Sequence, residues 1–127
     1  MDTKKPTKKQ TLGKQGEDIA AGYLIKNGYK LIDRNYRKPW GELDIVCLAA
    51  NKELVLVEVK TVAGEDPWVT AEEQMTSHKM EKFKRVAQIY ATNYLKNKPA
   101  SAGFRLDLIA INIHEGKAYL KQYKNIS

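Results

Sequence analysis

The segment Gly41-Glu42-Leu43-Asp44-Ile45-Val46-Cys47-Leu48, followed after five residues by Leu54-Val55-Leu56-Val57-Glu58-Val59-Lys60, carries the most information in the chain. Strand side chains alternate between faces, so Glu42 and Asp44 share one face with Val46 and Leu48, and Leu43, Ile45 and Cys47 take the other. In the second segment Glu58 and Lys60 go with Leu54 and Leu56, opposite Val55, Val57 and Val59. Apolar residues line both faces of both segments, which predicts a hairpin in the middle of a sheet covered on both sides. A connection centred on Asn51 sets Val46 opposite Leu56, Asp44 opposite Glu58 and Glu42 opposite Lys60. Opposed Cβ atoms in such pairs lie about 5 Å apart. Two carboxylates at that separation in a covered sheet repel each other and resist desolvation, so a positive charge must lie between them or one must hold a proton. Two readings are open here. A divalent cation, Mg²⁺ or Mn²⁺, takes carboxylate oxygens, and no imidazole or thiol cluster favours a softer metal. Alternatively, Glu42 and Lys60 form a salt bridge near a sheet end while Asp44 and Glu58 point at water.

Outward from the hairpin, apolar spacing predicts an amphipathic helix from about Leu12, with Leu12, Ile19, Ala20, Tyr23 and Leu24 at helical intervals and Asn27-Gly28 as its stop. Glu17 falls on the face of Gly13, Ala20, Ala21 and Leu24, the face expected to pack on the sheet. A buried acid on a helix is uncommon unless paired, so Glu17 joins Asp44 and Glu58 as a candidate acidic cluster; taken singly it is also a helix-start residue favoured by the macrodipole. Residues 29–36 read as a first strand, and 38–41 break the chain before the hairpin. A Gly- and Pro-containing loop over 63–68 precedes Thr70-Ala71-Glu72-Glu73, which has capping-box spacing, with Ser77 as a second cap. The long helix that follows packs through Met80, Phe83, Val86 or Ala87, Tyr90 or Ala91, and Tyr94, with Lys82, Lys84 and Arg85 on its outer face. Residues 98–101 end it, and 104–113 and 117–123 read as two more strands around a turn at Glu115-Gly116. The order is helix, three strands, helix, two strands.

Composition bounds the function. The chain has 127 residues, with 22 Lys or Arg against 15 Asp or Glu, a net charge of +7. Residues 1–11 read as a flexible basic arm and 12–127 as a single domain. No apolar run approaches the roughly 18 residues of a membrane span, and the lysine-rich N-terminus has no signal-peptide core, so no membrane partner and a cytoplasmic address are expected. The lone Cys47 and two separated histidines exclude an intramolecular disulfide and give no zinc spacing. The excess positive charge points to a polyanionic partner.

Gly41-Glu42-Leu43-Asp44-Ile45-Val46, a spacer, and Val57-Glu58-Val59-Lys60 resemble the split Asp…Glu-x-Lys core of the PD-(D/E)xK superfamily. Within it, the match is closest to the YraN-type uncharacterised protein family, whose members are similar to archaeal Holliday junction resolvases. The resemblance runs from Gly13-Lys14-Gln15-Gly16-Glu17 to Phe104-Arg105-Leu106-Asp107. It implies an α/β, restriction-endonuclease-like fold, a central mixed sheet flanked by helices in the order αβββαββ, so that 12–127 forms a single nuclease-like domain. It further implies that Asp44, Glu58 and the Val59 carbonyl ligate Mg²⁺ or Mn²⁺, that Glu17 completes the acidic cluster, and that Lys60 is the catalytic lysine. The implied activity is metal-dependent hydrolysis of DNA phosphodiesters, selective for branched or single-stranded forms; the alternative is a catalytically silent nucleic-acid-binding domain of the same fold. Val62 stands where relatives often carry Arg, and Leu43 replaces the superfamily's usual Pro.

Lys79, Lys82, Arg85, Lys14 and Lys9 are the candidate contacts to DNA, with RNA left open, since phosphate affinity needs only basic groups. Lys79 shares the face of Phe83, Val86 and Tyr90, toward the site or snorkelling over the apolar stripe. Trp40 and Trp68 flank the site in loops, as core-edge covers or as platforms for unpaired bases. His78 reads as a solvated helix-start residue, and Arg105 with Asp107 as an internal ion pair. A resolvase-like role favours a homodimer with two-fold symmetry, which no patch in the sequence establishes.

Overall fold

The structure is a computed structural model that describes residues 5–64, 70–99 and 102–126. Lys4 of the basic arm, Trp68 with most of the loop expected over 63–68, and residues 100–101 lie outside the described residues. Five strands, β1 (Lys30–Lys38), β2 (Gly41–Leu48), β3 (Leu54–Ala63), β4 (Phe104–His114) and β5 (Lys117–Tyr123), form one sheet in chain order. Only β3 and β4 pair in parallel. A parallel neighbour cannot be reached through a tight turn, and this connection carries α2 (Ser77–Tyr94), while α1 (Lys8–Lys26) precedes β1. The α/β class, the mixed sheet and the element order agree with the expectation from sequence.

α1 begins a turn before the expected Leu12. Thr7 accepts the Gln10 backbone N–H and the Gln10 side chain accepts the Thr7 N–H, a capping box that satisfies two orphan donors. Lys8 and Lys9 therefore lie in the first turn of α1. Near α2 the reverse occurs: Thr70 and Glu73 do exchange capping-box hydrogen bonds, but these close only a 3-10 turn at Glu72–Gln74. Thr76, not Ser77, caps α2.

The helices cover opposite faces of the sheet, giving three layers. On one face Ala20, Ala21 and Leu24 of α1 pack with Ile45, Cys47, Val55, Val57, Ile109 and Ile111. On the other, Phe83, Val86, Ala87 and Ala91 of α2 pack with Val46, Leu54, Leu56 and Leu106. Leu43 corrects the simple alternation: it joins Val46 on the α2 side, not Ile45 on the α1 side. The β1–β2 ladder passes from Arg34–Ile45 to Tyr36–Leu43 over Asn35, whose φ of 53° lies in the left-handed region that Asn tolerates better than most residues. Strand β2 therefore turns about Asp44.

The sheet end away from Asp44 is fixed by a charged network. Asp107 is fully buried and accepts hydrogen bonds from Arg105 Nε (3.0 Å), Gln122 Nε2 (2.9 Å) and the Asn125 N–H (3.0 Å). Arg105 also reaches Glu53 at 3.1 Å and the Tyr29 hydroxyl at 2.7 Å. Burial works against the guanidinium's charge, but these partners outweigh it and hold its pKa above the ordinary range. The expected Arg105–Asp107 ion pair is present and structural. Asp107→Ala would take an acceptor from the Gln122 amide and the Asn125 N–H and leave Arg105 with Glu53 as its remaining acidic partner, so we expect urea titration to show a loss of about 3 kcal/mol, and Asp107→Asn, which keeps part of the network, to lose less.

Candidate active site

Strands β2 and β3 pair from Leu48–Leu54 to Ile45–Val57, with Val46 opposite Leu56 as the sequence predicts. Beyond that rung they part, while β3 stays paired with β4 as far as Ala63–Ile113. Parting would strand the Val59 N–H, and the Asp44 carboxylate accepts it at 2.7 Å in place of a backbone carbonyl. Asp44 is thereby fixed at the mouth of the gap, next to Glu58 along the same register. Glu17 meets it from α1 through a side-chain hydrogen bond. The approach of α1 depends on Gly16: a Cβ there would stand 1.8 Å from Thr61 Oγ1 on β3.

The expected pairing of Glu42 with Lys60 is not the one formed. Glu42 pairs with Arg37 across the β1–β2 ladder, and Lys60 pairs with Glu58 at 3.1 Å. The two carriers of the Glu-x-Lys motif are thus each other's partner within one strand, both largely shielded from solvent. A pocket of about 200 Å³ opens over them, lined by Glu42, Glu58, Lys60, Lys79, Lys82 and Phe83. Lys82 lines this pocket beside Lys79 instead of lying on the outer face with Lys84 and Arg85, because the tip of the β1–β2 hairpin packs against it: a Cβ on Gly41 would lie 3.9 Å from Lys82 Cε. Among the described residues neither Lys79 nor Lys82 is ion-paired. Arg85, Lys9 and Lys14 are exposed and do not line the pocket, and Lys14 is paired with Asp18 at 3.3 Å.

Burial, then the neighbouring Asp44, pushes the Glu17 carboxyl up to about 7, against the charges of Arg34 and Arg37. Burial and Asp44 push Glu58 up to about 7 against the pull of Lys60. Asp44 is itself raised by burial, offset by its hydrogen bonds from Val59 and Glu17 and by Lys60. In its protonated form Glu17 donates to Asp44. Three acids drawn together and partly withdrawn from water form a site in which burial and mutual repulsion hold carboxyls partly protonated.

Nothing local in the sequence marks Arg34 and Arg37, yet both bear on Glu17. Arg34 also ties β1 to α1 through Asp18 at 2.7 Å. The available signal was their place on the strand beside β2, which becomes useful only once the β1–β2 register is known. Val59 acts here through its N–H, not yet through its carbonyl. Among the described residues no three His, Cys, Asp or Glu side chains form a ready-made metal cage. The donor set of Asp44, Glu58 and nearby backbone oxygen still fits Mg²⁺ or Mn²⁺, because a small hard cation binds through one or two carboxylates and keeps several waters.

A mixed sheet between two helices, with acids gathered where its second and third strands part and lysines over them, defines the class: an α/β domain with a carboxylate–lysine site. The chain belongs to the uncharacterised protein family UPF0102, whose model matches residues 16–111, in agreement with the YraN-type resemblance of its motifs. It is 34% identical over 124 residues to the UPF0102 protein of Caldanaerobacter subterraneus, covering 96% of each chain. It is 38% identical over 101 residues to that of Thermodesulfovibrio yellowstonii, covering 80% of this chain and 85% of the relative, and 32% identical over 114 residues to that of Mycobacterium tuberculosis, covering 89% and 86%. Among solved structures, a chain from the structure of an EndoMS–dsDNA complex matches 74% of this chain and 35% of its own length, at a TM-score of 0.40 and 15% identity. A likeness that weak carries no argument about chemistry.

The raised carboxyls fix a pH dependence. Because Glu17 and Glu58 sit at about 7 in the fold against an ordinary 4.5, the folded chain binds more protons than the unfolded one between those values. Their stabilising contribution is complete below the ordinary value and is lost as pH rises through the folded one. We expect the urea midpoint without divalent metal to fall between about pH 5 and about pH 8, and Glu58→Gln to flatten that fall and exceed the wild type in stability at its alkaline end.

Proposed function

We propose that this chain is a metal-dependent endonuclease acting on DNA phosphodiesters. The observation that carries the reading is the juxtaposition of Asp44, locked by the Val59 N–H in the gap between β2 and β3, with the Glu58–Lys60 pair under a pocket edged by Lys79 and Lys82. Asp44, Glu58 and the Val59 carbonyl would hold Mg²⁺ or Mn²⁺, which supplies Lewis acidity toward the phosphodiester when bound. Lys79 and Lys82 then bind phosphate oxygens as point charges. Lys60, held at 3.1 Å from Glu58, is positioned to stabilise charge that develops on the phosphoryl oxygens. Glu17 touches Asp44 and carries an exchangeable proton near neutral pH, the property a general acid–base group needs. Among the described residues no base-reading element accompanies these groups, so the reading favours structure over sequence in the choice of substrate.

Duplex, single-stranded, flap and four-way DNA incubated with Mg²⁺ or Mn²⁺ test it. We expect cleavage of at least one of them, removal of that cleavage by chelation, and a fall of roughly a hundredfold or more in Asp44→Ala. DNA binding that survives Asp44→Ala and Glu58→Ala, with no cleavage of any substrate by the wild type, would instead identify a catalytically silent binding domain. Separately, Lys79→Ala and Lys82→Ala should each weaken DNA binding and lower the slope of log affinity against log salt by about 1.

A further inference from the structure

The β1–β2 ladder closes at Lys38–Gly41, leaving Pro39 and Trp40 as a two-residue turn. Three constraints make this tip rigid. The Pro39 ring fixes its own φ. Gly41 has a φ of 142°, which a side chain would strain. The Gly41 backbone also lies so close to α2 that an added Cβ would stand 2.3 Å from Val86 Cγ2. On this fixed tip Trp40 is 48% exposed, so it does not serve as the core-edge cover that is the usual reading of a loop tryptophan.

A singly exposed apolar residue is ordinary, and Ile25 and Tyr119 are two more, at 57% each. Trp40 differs from them by its surroundings. Its chain neighbour Gly41 borders Lys82, and Glu42, one residue further, lines the pocket with Glu58, Lys60, Lys79 and Lys82. Lys38, on the other side of the turn, is also exposed and holds its ammonium over the Tyr36 ring at 5.6 Å. A half-exposed indole two residues from the pocket-lining Glu42, on a turn that follows Lys38 and whose Gly41 borders Lys82, offers a π-face for a base close in the chain to positive charge for its phosphates. A paired base offers only its edge, since both its faces are already stacked. An indole on a fixed turn also loses little conformational freedom on binding.

We propose that Trp40 is a stacking platform for an unpaired base, which makes single-stranded segments or branch points in DNA the substrate class of the adjoining site. The proposal rests on the preceding reading only in taking nucleic acid as the partner, and needs neither metal nor turnover. The chain contains two tryptophans, so in full-length Trp68→Phe the emission reports Trp40 alone. Titration with oligothymidylate in the absence of divalent metal is expected to quench that emission saturably, and a blunt duplex to leave it unchanged. In an otherwise wild-type chain, Trp40→Ala should weaken oligothymidylate binding by about tenfold or more and duplex binding by less than about twofold, with Trp40→Phe restoring most of the loss. Unquenched emission together with unchanged affinity of Trp40→Ala would overturn the proposal, as would equal weakening toward both DNA forms. If that result came with weaker binding of both forms by Lys79→Ala, the stacking role would fall and the nucleic-acid reading would stand. Failure of the wild type to bind either form at moderate salt would remove both.

Discussion

The acids gathered at the point where β2 leaves β3 are the constraint on which the rest of the site depends. Partial burial leaves little solvent to disperse their charge, and the site's own lysine, Lys60, is already paired with Glu58. The fold answers in two ways. It spends one Asp44 oxygen on the Val59 N–H that parting strands would otherwise leave unsatisfied, and it lets Glu17 and Glu58 keep protons up to about 7. Neither removes the need for positive charge. On the proposed function, both would let the site exchange protons for a cation, at a cost in stability.

The surrounding structure keeps this unfavourable cluster in place. α1 comes close enough to bring Glu17 to Asp44 only because Gly16 lacks a side chain over Thr61, and the Asp18–Arg34 pair ties the same helix to β1. At the other end of the sheet, Asp107 and Arg105 draw together residues of β1's approach, β4, β5 and the C-terminal segment. A buried, fully partnered charge network at one end is a stable foundation for an under-neutralised one at the other. The positive charge divides accordingly. Lys79 and Lys82 stand over the acids, while Lys9, Lys14 and Arg85 lie on exposed surfaces away from the pocket, where they can add only long-range attraction for a polyanion.

Much of this was legible in the sequence because it follows from local rules. The connection centred on Asn51 fixes the β2–β3 register, and Val46 does face Leu56. Helical spacing places Glu17 on the packed face of α1 and Phe83, Val86 and Ala91 on that of α2. What escaped depends on neighbours that alternation cannot see. Leu43 crosses to the α2 side because β1 carries a left-handed Asn35 opposite Asp44. Glu42 chooses Arg37 over Lys60 because β1 lies on its other flank. Lys82 turns to the pocket because the hairpin tip packs on it. The early start of α1 was hidden by the lysine-rich run that holds the Thr7–Gln10 capping box.

The central claim is that these acids hold protons in place of a divalent cation. Calorimetric titration of Mn²⁺ into the full chain near neutral pH, in buffers of different ionisation enthalpy, tests it most directly. The account predicts binding accompanied by proton release, because Glu17 and Glu58 sit at about 7 without the ion, and loss of that binding in Asp44→Ala. Binding that releases no protons, or that persists unchanged in Asp44→Ala, would contradict it.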